Sequence, residues 1–280
     1  MDIMVSDFVI EDGPFGPLPG RTLSPSEQVN QPLPLVFFYH GWTNSAGEHL
    51  HFGMEIARQG FRVVMPDAYL HGKRGDRKSL ELQGFLMALR ANIEEFPLLF
   101  DHFKSTIKDN FVAVSGMSMG AMTTLLLLSR HPFLSAAVSL MGSAHISKLI
   151  DQNIINNQSS SNQSLTNNQL LKETHKEFAI IYQSDLSKQA EKIANRPLYI
   201  WHGENDPLVP YQDTVEFVES IIDQPYSQNT YFNHEPAYHR VPFKEIVKMA
   251  SFLKAASLKE IDQIWEYVEK LSLERKDFFE

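Results

Sequence analysis

Phe111-Val-Ala-Val-Ser-Gly-Met-Ser118-Met-Gly-Ala-Met-Thr-Thr-Leu-Leu-Leu-Leu128 is the stretch on which the reading of this chain turns. Residues 111–115 form a short apolar run suited to a buried strand, and residues 118–130 carry a helical pattern that stops before His131-Pro132. Between them lies Gly116-Met117-Ser118-Met119-Gly120. Glycines two residues either side of a serine let the chain turn sharply from strand into helix. Side chains at Gly116 and Gly120 would collide with neighbouring backbone, and Ser118 is left at the apex in a strained conformation. Strand, turn and helix in this order make Ser118 a candidate nucleophile; the competing reading is a helix N-cap serine beside packing glycines.

Working outward, apolar runs alternate with longer amphipathic ones. Strands are predicted at 33–39, 61–65, 135–141, 197–202 and 228–233, and helices at 46–59, 79–106, 211–223 and 241–256. Pro97 is expected to kink or split the second of these helices. Near-continuous apolar strands separated by helices imply an α/β fold with a mostly parallel central sheet and helices on both faces. Ligands of such sheets bind beyond the carboxyl ends of the strands.

Three further motifs fall at those ends. His40-Gly41-Trp42-Thr43 follows the strand at 33–39. Acyl transfer places negative charge on a carbonyl oxygen, which two backbone N–H groups can hold. Met119, just past the nucleophile, and Trp42 are the expected donors, with Gly41 letting backbone approach the substrate. His40 is read as a histidine that braces this loop, the alternative being a catalytic base. His202-Gly203-Glu204-Asn205-Asp206-Pro207 supplies a carboxylate, Asp206, to orient an imidazole; Glu204 is the alternative acid. Ala237-Tyr238-His239-Arg240 supplies the base, His239, with His234 as its competitor. The chain order Ser118, Asp206, His239 is that of the α/β-hydrolase triad.

The bulk properties fit a single enzyme-sized domain. The 280 residues are 43% hydrophobic and carry a formal charge of -9, which speaks against nucleic acid as partner. Without cysteine the chain has no disulfide and no thiolate metal site. His49 and His51, two apart on a predicted helix, are expected to face different ways, so no metal site is expected. Neither a leader nor a run long enough for a membrane span is evident, and a cytoplasmic protein is expected. His71-Gly72 reads as a structural turn. Met117, Met119 and Met141 are candidates for an adaptable acyl site or for core filling.

Two segments break the alternation. Residues 1–32 are rich in Pro and Gly and are expected to form an antiparallel hairpin around Asp12-Gly13. Residues 151–169 are a tract of Asn, Gln and Ser, expected to be a mobile loop. That tract lies in an excursion over 143–195, read as a cap over the site or as a plain surface insertion. Residues 258–280 look like a charged helical tail, docked through Ile261, Ile264, Trp265 and Val268 or used as an oligomer contact; the sequence leaves the oligomeric state open.

Taken together, Phe-Phe-Tyr-His-Gly-Trp-Thr-Asn-Ser, Arg-Val-Val-Met-Pro-Asp-Ala-Tyr-Leu-His-Gly, Gly-Met-Ser-Met-Gly and Trp-His-Gly-Glu-Asn-Asp-Pro-Leu-Val-Pro resemble the α/β-hydrolase superfamily. Within it the chain resembles small bacterial YjfP-type carboxylesterases, relatives of the dienelactone hydrolase and prolyl oligopeptidase group. The likeness runs over about residues 33–255 and implies a small carboxylic-ester substrate and no cofactor. It also implies a triad of Ser118, Asp206 and His239 with oxyanion donors at Trp42 and Met119. The Asn/Gln/Ser tract and the longer tail depart from the pattern. A peptidase or thioesterase of the same fold, or a non-catalytic binding protein, are the rival readings.

Overall fold

Five strands, each largely buried and β6 so from Phe111 onward, make the middle of the sheet: β4 (Leu33–Tyr39), β5 (Arg62–Pro66), β6 (Ile107–Met117), β7 (Ala136–Leu140) and β8 (Leu198–Gly203). Such strands have no polar face to turn to water, so both faces must be covered. The computed structural model describes residues 3–5, 8–16, 18–75, 82–158 and 166–259. Its sheet has the order β1-β2-β3-β5-β4-β6-β7-β8-β9, with β1 at Ile3–Val5, β2 at Phe8–Asp12, β3 at Gly20–Pro25 and β9 at Thr230–Glu235. From β5 to β9 neighbouring strands are parallel, whereas β1, β2 and β3 are antiparallel. The expected hairpin near the start of the chain is the β2–β3 pair, in which Asp12 faces Arg21.

Helices α1 (Leu50–Arg58) and α8 (Phe243–Leu258) cover one face through Phe52, Ile56, Phe252 and Leu253. Helices α2 (Leu82–Phe103), α3 (Met119–Arg130) and α7 (Tyr211–Ile221) cover the other through Phe96, Leu127 and Phe217. Each of these large side chains contributes roughly 1.5–3 kcal/mol by leaving water. Helix α2 continues through Pro97 and is not split there. At the far edge, the Tyr199 hydroxyl and the Asn233 amide both donate to the buried Glu245 carboxylate, at 2.8 and 3.0 Å. These bonds pin β8, β9 and α8 together just before the loops that carry Asp206 and His239.

The excursion between β7 and β8 is more ordered than its composition implies. Helix α4 (Ile146–Gln158) runs into the polar tract because Ile146, Ile150 and Ile154, spaced by four, bury one stripe. Helix α5 (Asn167–Glu177) starts at a capping box: Thr166 Oγ1 accepts the Gln169 N–H at 3.3 Å, and Gln169 Oε1 accepts the Thr166 N–H at 3.0 Å. The expectation of a loop through 151–169 therefore fails at both ends; residues 159–165 lie outside the described ones. Helix α6 (Ala179–Ser184) closes the excursion, and Ile181 joins α4 and Met122 in a third apolar cluster at the carboxyl edge of the sheet. The tail expected over 258–280 lies outside the described residues from 260 onward. No helix among the described residues is long and apolar enough to cross a membrane.

Candidate active site

Ser118 occupies the apex between β6 and α3 with φ 54° and ψ −118°, a conformation that side chains rarely adopt. Its N–H donates to Leu140 O at 2.8 Å, and its carbonyl accepts the Met122 N–H at 3.0 Å. Crowding explains the flanking glycines. A Cβ on Gly116 would sit 2.5 Å from the Gly120 carbonyl oxygen and 2.7 Å from Tyr39 O, and one on Gly120 would overlap the Tyr39 carbonyl.

Ser118 Oγ lies 2.9 Å from His239 Nε2, and His239 Nδ1 lies 2.6 Å from Asp206 Oδ2. An ionised carboxylate can only accept, so Nδ1 carries the proton and Nε2 is left to accept from the hydroxyl. The Asp206 side chain is fully buried and that of His239 is 16% exposed. Burial alone would raise the Asp206 pKa. Donation from His202, His239 and the backbone N–H groups of Val209 and Leu208 overcomes this and holds the carboxyl well below its usual range. The loop bearing His239 can approach because residue 203 is glycine: a Cβ there would meet Tyr238 O at 2.7 Å.

The two alternatives from the sequence pair with each other instead. His234 Nδ1 donates to Glu204 Oε1 at 2.8 Å, at an exposed position.

The loop after β4 stands across from Ser118. A Cβ on Gly41 would be 3.5 Å from Ser118 Cβ, so the backbone here borders the space a substrate would fill. The N–H groups of Trp42 and Met119 meet no acceptor among the described residues. Two buried histidines hold this loop. His40 Nε2 accepts the Ala68 N–H at 3.0 Å while its Nδ1 donates to Gly41 O at 2.8 Å; burial pushes its pKa down to about 4, so the ring is neutral. His71 Nε2 accepts the N–H of Thr43, a residue at φ 69°, at 3.1 Å, and its Nδ1 donates to Tyr69 O at 2.8 Å. His71 is thus more than a structural turn of its own loop: it grips the neighbouring one. His202, to which the sequence assigns no role, is fully buried beside Asp206. The signal was present in the sequence, since His40-Gly41, His71-Gly72 and His202-Gly203 each stand at or just beyond the carboxyl end of a strand.

A cavity of about 560 Å³ opens at Ser118 and His239. Its apolar wall comes from Trp42, Phe85 and Met122 together with Leu149 and Ile150 of α4. Met117 lines it too, whereas Met119 and Met141 are fully buried core. The rings of His49 and His51 do not diverge as expected but stack, with centroids 6.0 Å apart. No cluster of metal-ligating side chains occurs among the described residues.

Two bacterial proteins are similar to this chain over most of its length. YitV of Bacillus subtilis is 34% identical over 247 residues, which span 85% of this chain and 95% of that one. The esterase YjfP of Escherichia coli is 31% identical over 220 residues, spanning 76% and 85%. The chain belongs to the YjfP-like esterase family of α/β-hydrolases. Residues 30–156 also match the sequence profile of the serine aminopeptidases of family S33. Among solved structures, a cold-adapted esterase from an Arctic intertidal metagenomic library superposes with a TM-score of 0.65 at 16% identity, over 91% of this chain and 97% of that one. TT1662 from Thermus thermophilus gives 0.63 at 18%, over 94% and 98%. At those identities the likeness is one of fold. The two bacterial relatives share 95% and 85% of their own length with this chain.

Proposed function

We propose that this protein is a serine carboxylesterase that cleaves short acyl esters of small molecules, with Ser118 as nucleophile, His239 as base and Asp206 as the orienting acid. The observation that carries this reading is the unbroken hydrogen-bonded line Ser118–His239–Asp206 at the mouth of an apolar cavity. Ser118 Oγ attacks the ester carbonyl as His239 Nε2 takes its proton, and the imidazolium so formed is stabilised by Asp206. The Trp42 and Met119 N–H groups receive the oxyanion. The alcohol leaves with the proton from His239, and water repeats the sequence on the acyl-enzyme. Helix α4 acts as a cap whose Leu149 and Ile150 bound the acyl side.

The S33 match favours a second reading, a peptidase releasing N-terminal residues. Such an enzyme must neutralise the substrate's α-ammonium group. No Asp or Glu is among the described residues that line the cavity, which favours the ester.

The test is a series of p-nitrophenyl esters from acetate to decanoate beside matched thioesters and aminoacyl anilides. Highest kcat/KM on a short ester, with labelling of Ser118 by a fluorophosphonate, is the expected result. Faster turnover of the anilide, or no labelling, would overturn it.

A further inference from the structure

Behind the proposed triad stands a second histidine. His202, the fifth residue of β8, has a fully buried side chain whose Nε2 lies 3.2 Å from Asp206 Oδ2 and 3.0 Å from Val209 O. Both neighbours can only accept, so Nε2 carries a proton and shares it between them. On the other side, Nδ1 is 2.8 Å from Thr214 Oγ1, which is also 3.2 Å from Gly142 O. The hydroxyl can donate to Nδ1 or, if that nitrogen is protonated, accept from it and donate to Gly142 O. The single hydroxyl proton serves Nδ1 or Gly142 O, so the state of the ring decides which of the two Thr214 satisfies. A histidine needed only to fill space would not require such an adaptor.

We propose that His202, polarised by Thr214, is a positioning residue that sets the proton affinity of the His239–Asp206 pair. The argument rests on the triad reading given above. Asp206 Oδ2 is the shared atom, receiving Nδ1–H of His239 from one side and facing Nε2–H of His202 from the other. Charge drawn toward His202 is unavailable to an imidazolium at His239. Loss of His202 would leave the whole carboxylate charge to His239 and so favour its protonated form. Thr214 strengthens the pull of His202 by polarising the ring it donates to.

Other titratable groups on these elements bond away from His202: Tyr199 to Glu245, Glu216 to Lys148 and Glu235 to Lys244. Tyr211 meets the His202 ring edge-on, centroids 6.0 Å apart. Glu204 and His234 bond to each other, and Asp213 bonds Lys148.

The experiment is the pH profile of kcat/KM for a p-nitrophenyl ester in wild type, His202→Leu, His202→Gln and Thr214→Val, each checked for folding by circular dichroism and melting. His202→Leu should move the acid limb up by about 0.5–1 pH unit. His202→Gln, whose amide can donate from nearly the place of Nε2, should restore most of that shift. Thr214→Val should move the limb the same way by less. A folded His202→Leu with its limb at the wild-type position, whatever its kcat or melting temperature, overturns the proposal. If His202→Leu does not fold, Thr214→Val decides, and an unmoved limb there has the same consequence. Ser118→Ala separates the two readings: activity surviving that change sinks the triad itself, whereas its loss with unmoved limbs sinks only the role of His202.

Discussion

The imidazole of His71 meets the indole of Trp42 edge to face, with ring centroids 4.6 Å apart, while its Nε2 holds the N–H of the next residue, Thr43. Trp42 is the proposed oxyanion donor, and Thr43 is held at a positive φ. The direction of the Trp42 N–H thus depends on a side chain from the following βα loop. His71→Leu should lower kcat roughly ten- to hundredfold, short of the full loss of one oxyanion donor. KM should change little, and affinity for a trifluoromethyl ketone should fall in step with kcat. An unchanged ketone affinity would detach His71 from the oxyanion site.

Replacing Ser118 by Ala should cut kcat by roughly 10⁴–10⁶, the scale seen when a triad nucleophile is removed. Asp206→Asn should cost roughly 10³–10⁴, because the amide can donate toward Nδ1 and so favour the wrong tautomer of His239. Burst-free steady-state assays at saturating ester would measure both. An Asp206→Asn enzyme as fast as wild type would require another acid.

Buried His40 predicts a loss of stability in mild acid. Its folded pKa is depressed to about 4 from the ordinary 6.5, so below pH 6.5 the unfolded chain takes up a proton that the folded one refuses. The contribution is fully present above pH 6.5, is lost progressively as pH falls, and is gone below about 4. Over that window about 3 kcal/mol disappears. Urea unfolding followed from pH 7.5 to 4 should show the decline, and His40→Gln should flatten it. A decline of equal slope in that variant would place the sensitive group elsewhere, with His131, also lowered to about 4 by burial, the next to examine.

Two glycines at the site should respond in opposite ways. Gly120→Ala forces a methyl into the Tyr39 carbonyl and should destabilise by more than about 3 kcal/mol or prevent folding. Gly41→Ala meets nothing closer than Asn44 Oδ1 at 3.3 Å, so its melting temperature should hold. Its methyl would instead stand beside Ser118, lowering kcat/KM at least roughly tenfold by displacing the bound ester. Melting curves and ester kinetics on the pair would check both halves.

The acyl wall provides a further handle. Ile150 is 1% exposed and reaches from α4 to the cavity, so Ile150→Ala should open space there. The preferred p-nitrophenyl ester should then shift to a longer chain, by roughly one to two carbons for the methylenes removed. No shift in the series would place the acyl group elsewhere.

Much of this was written into the chain locally. The alternation of apolar strands and helices and the glycines that frame Ser118 are short-range patterns with short-range causes: backbone crowding, helix punctuation and burial on both sheet faces. Average polarity misleads at 151–169, because Ile154 completes with Ile146 and Ile150, just before the tract, the buried stripe that anchors α4. Tertiary structure alone decided which histidine and which carboxylate meet. His234 and His239 are five residues apart, and Glu204 and Asp206 two, so local position favours Asp206 and His239 without showing that they meet. Only the folded approach of the β9 loop over Gly203 buries Asp206 against His239 and leaves Glu204 and His234 paired at the surface. The roles of His71 and His202 were hidden for the same reason. A buried imidazole is defined by the acceptors and donors that surround it, and those come from strands and loops distant in the chain.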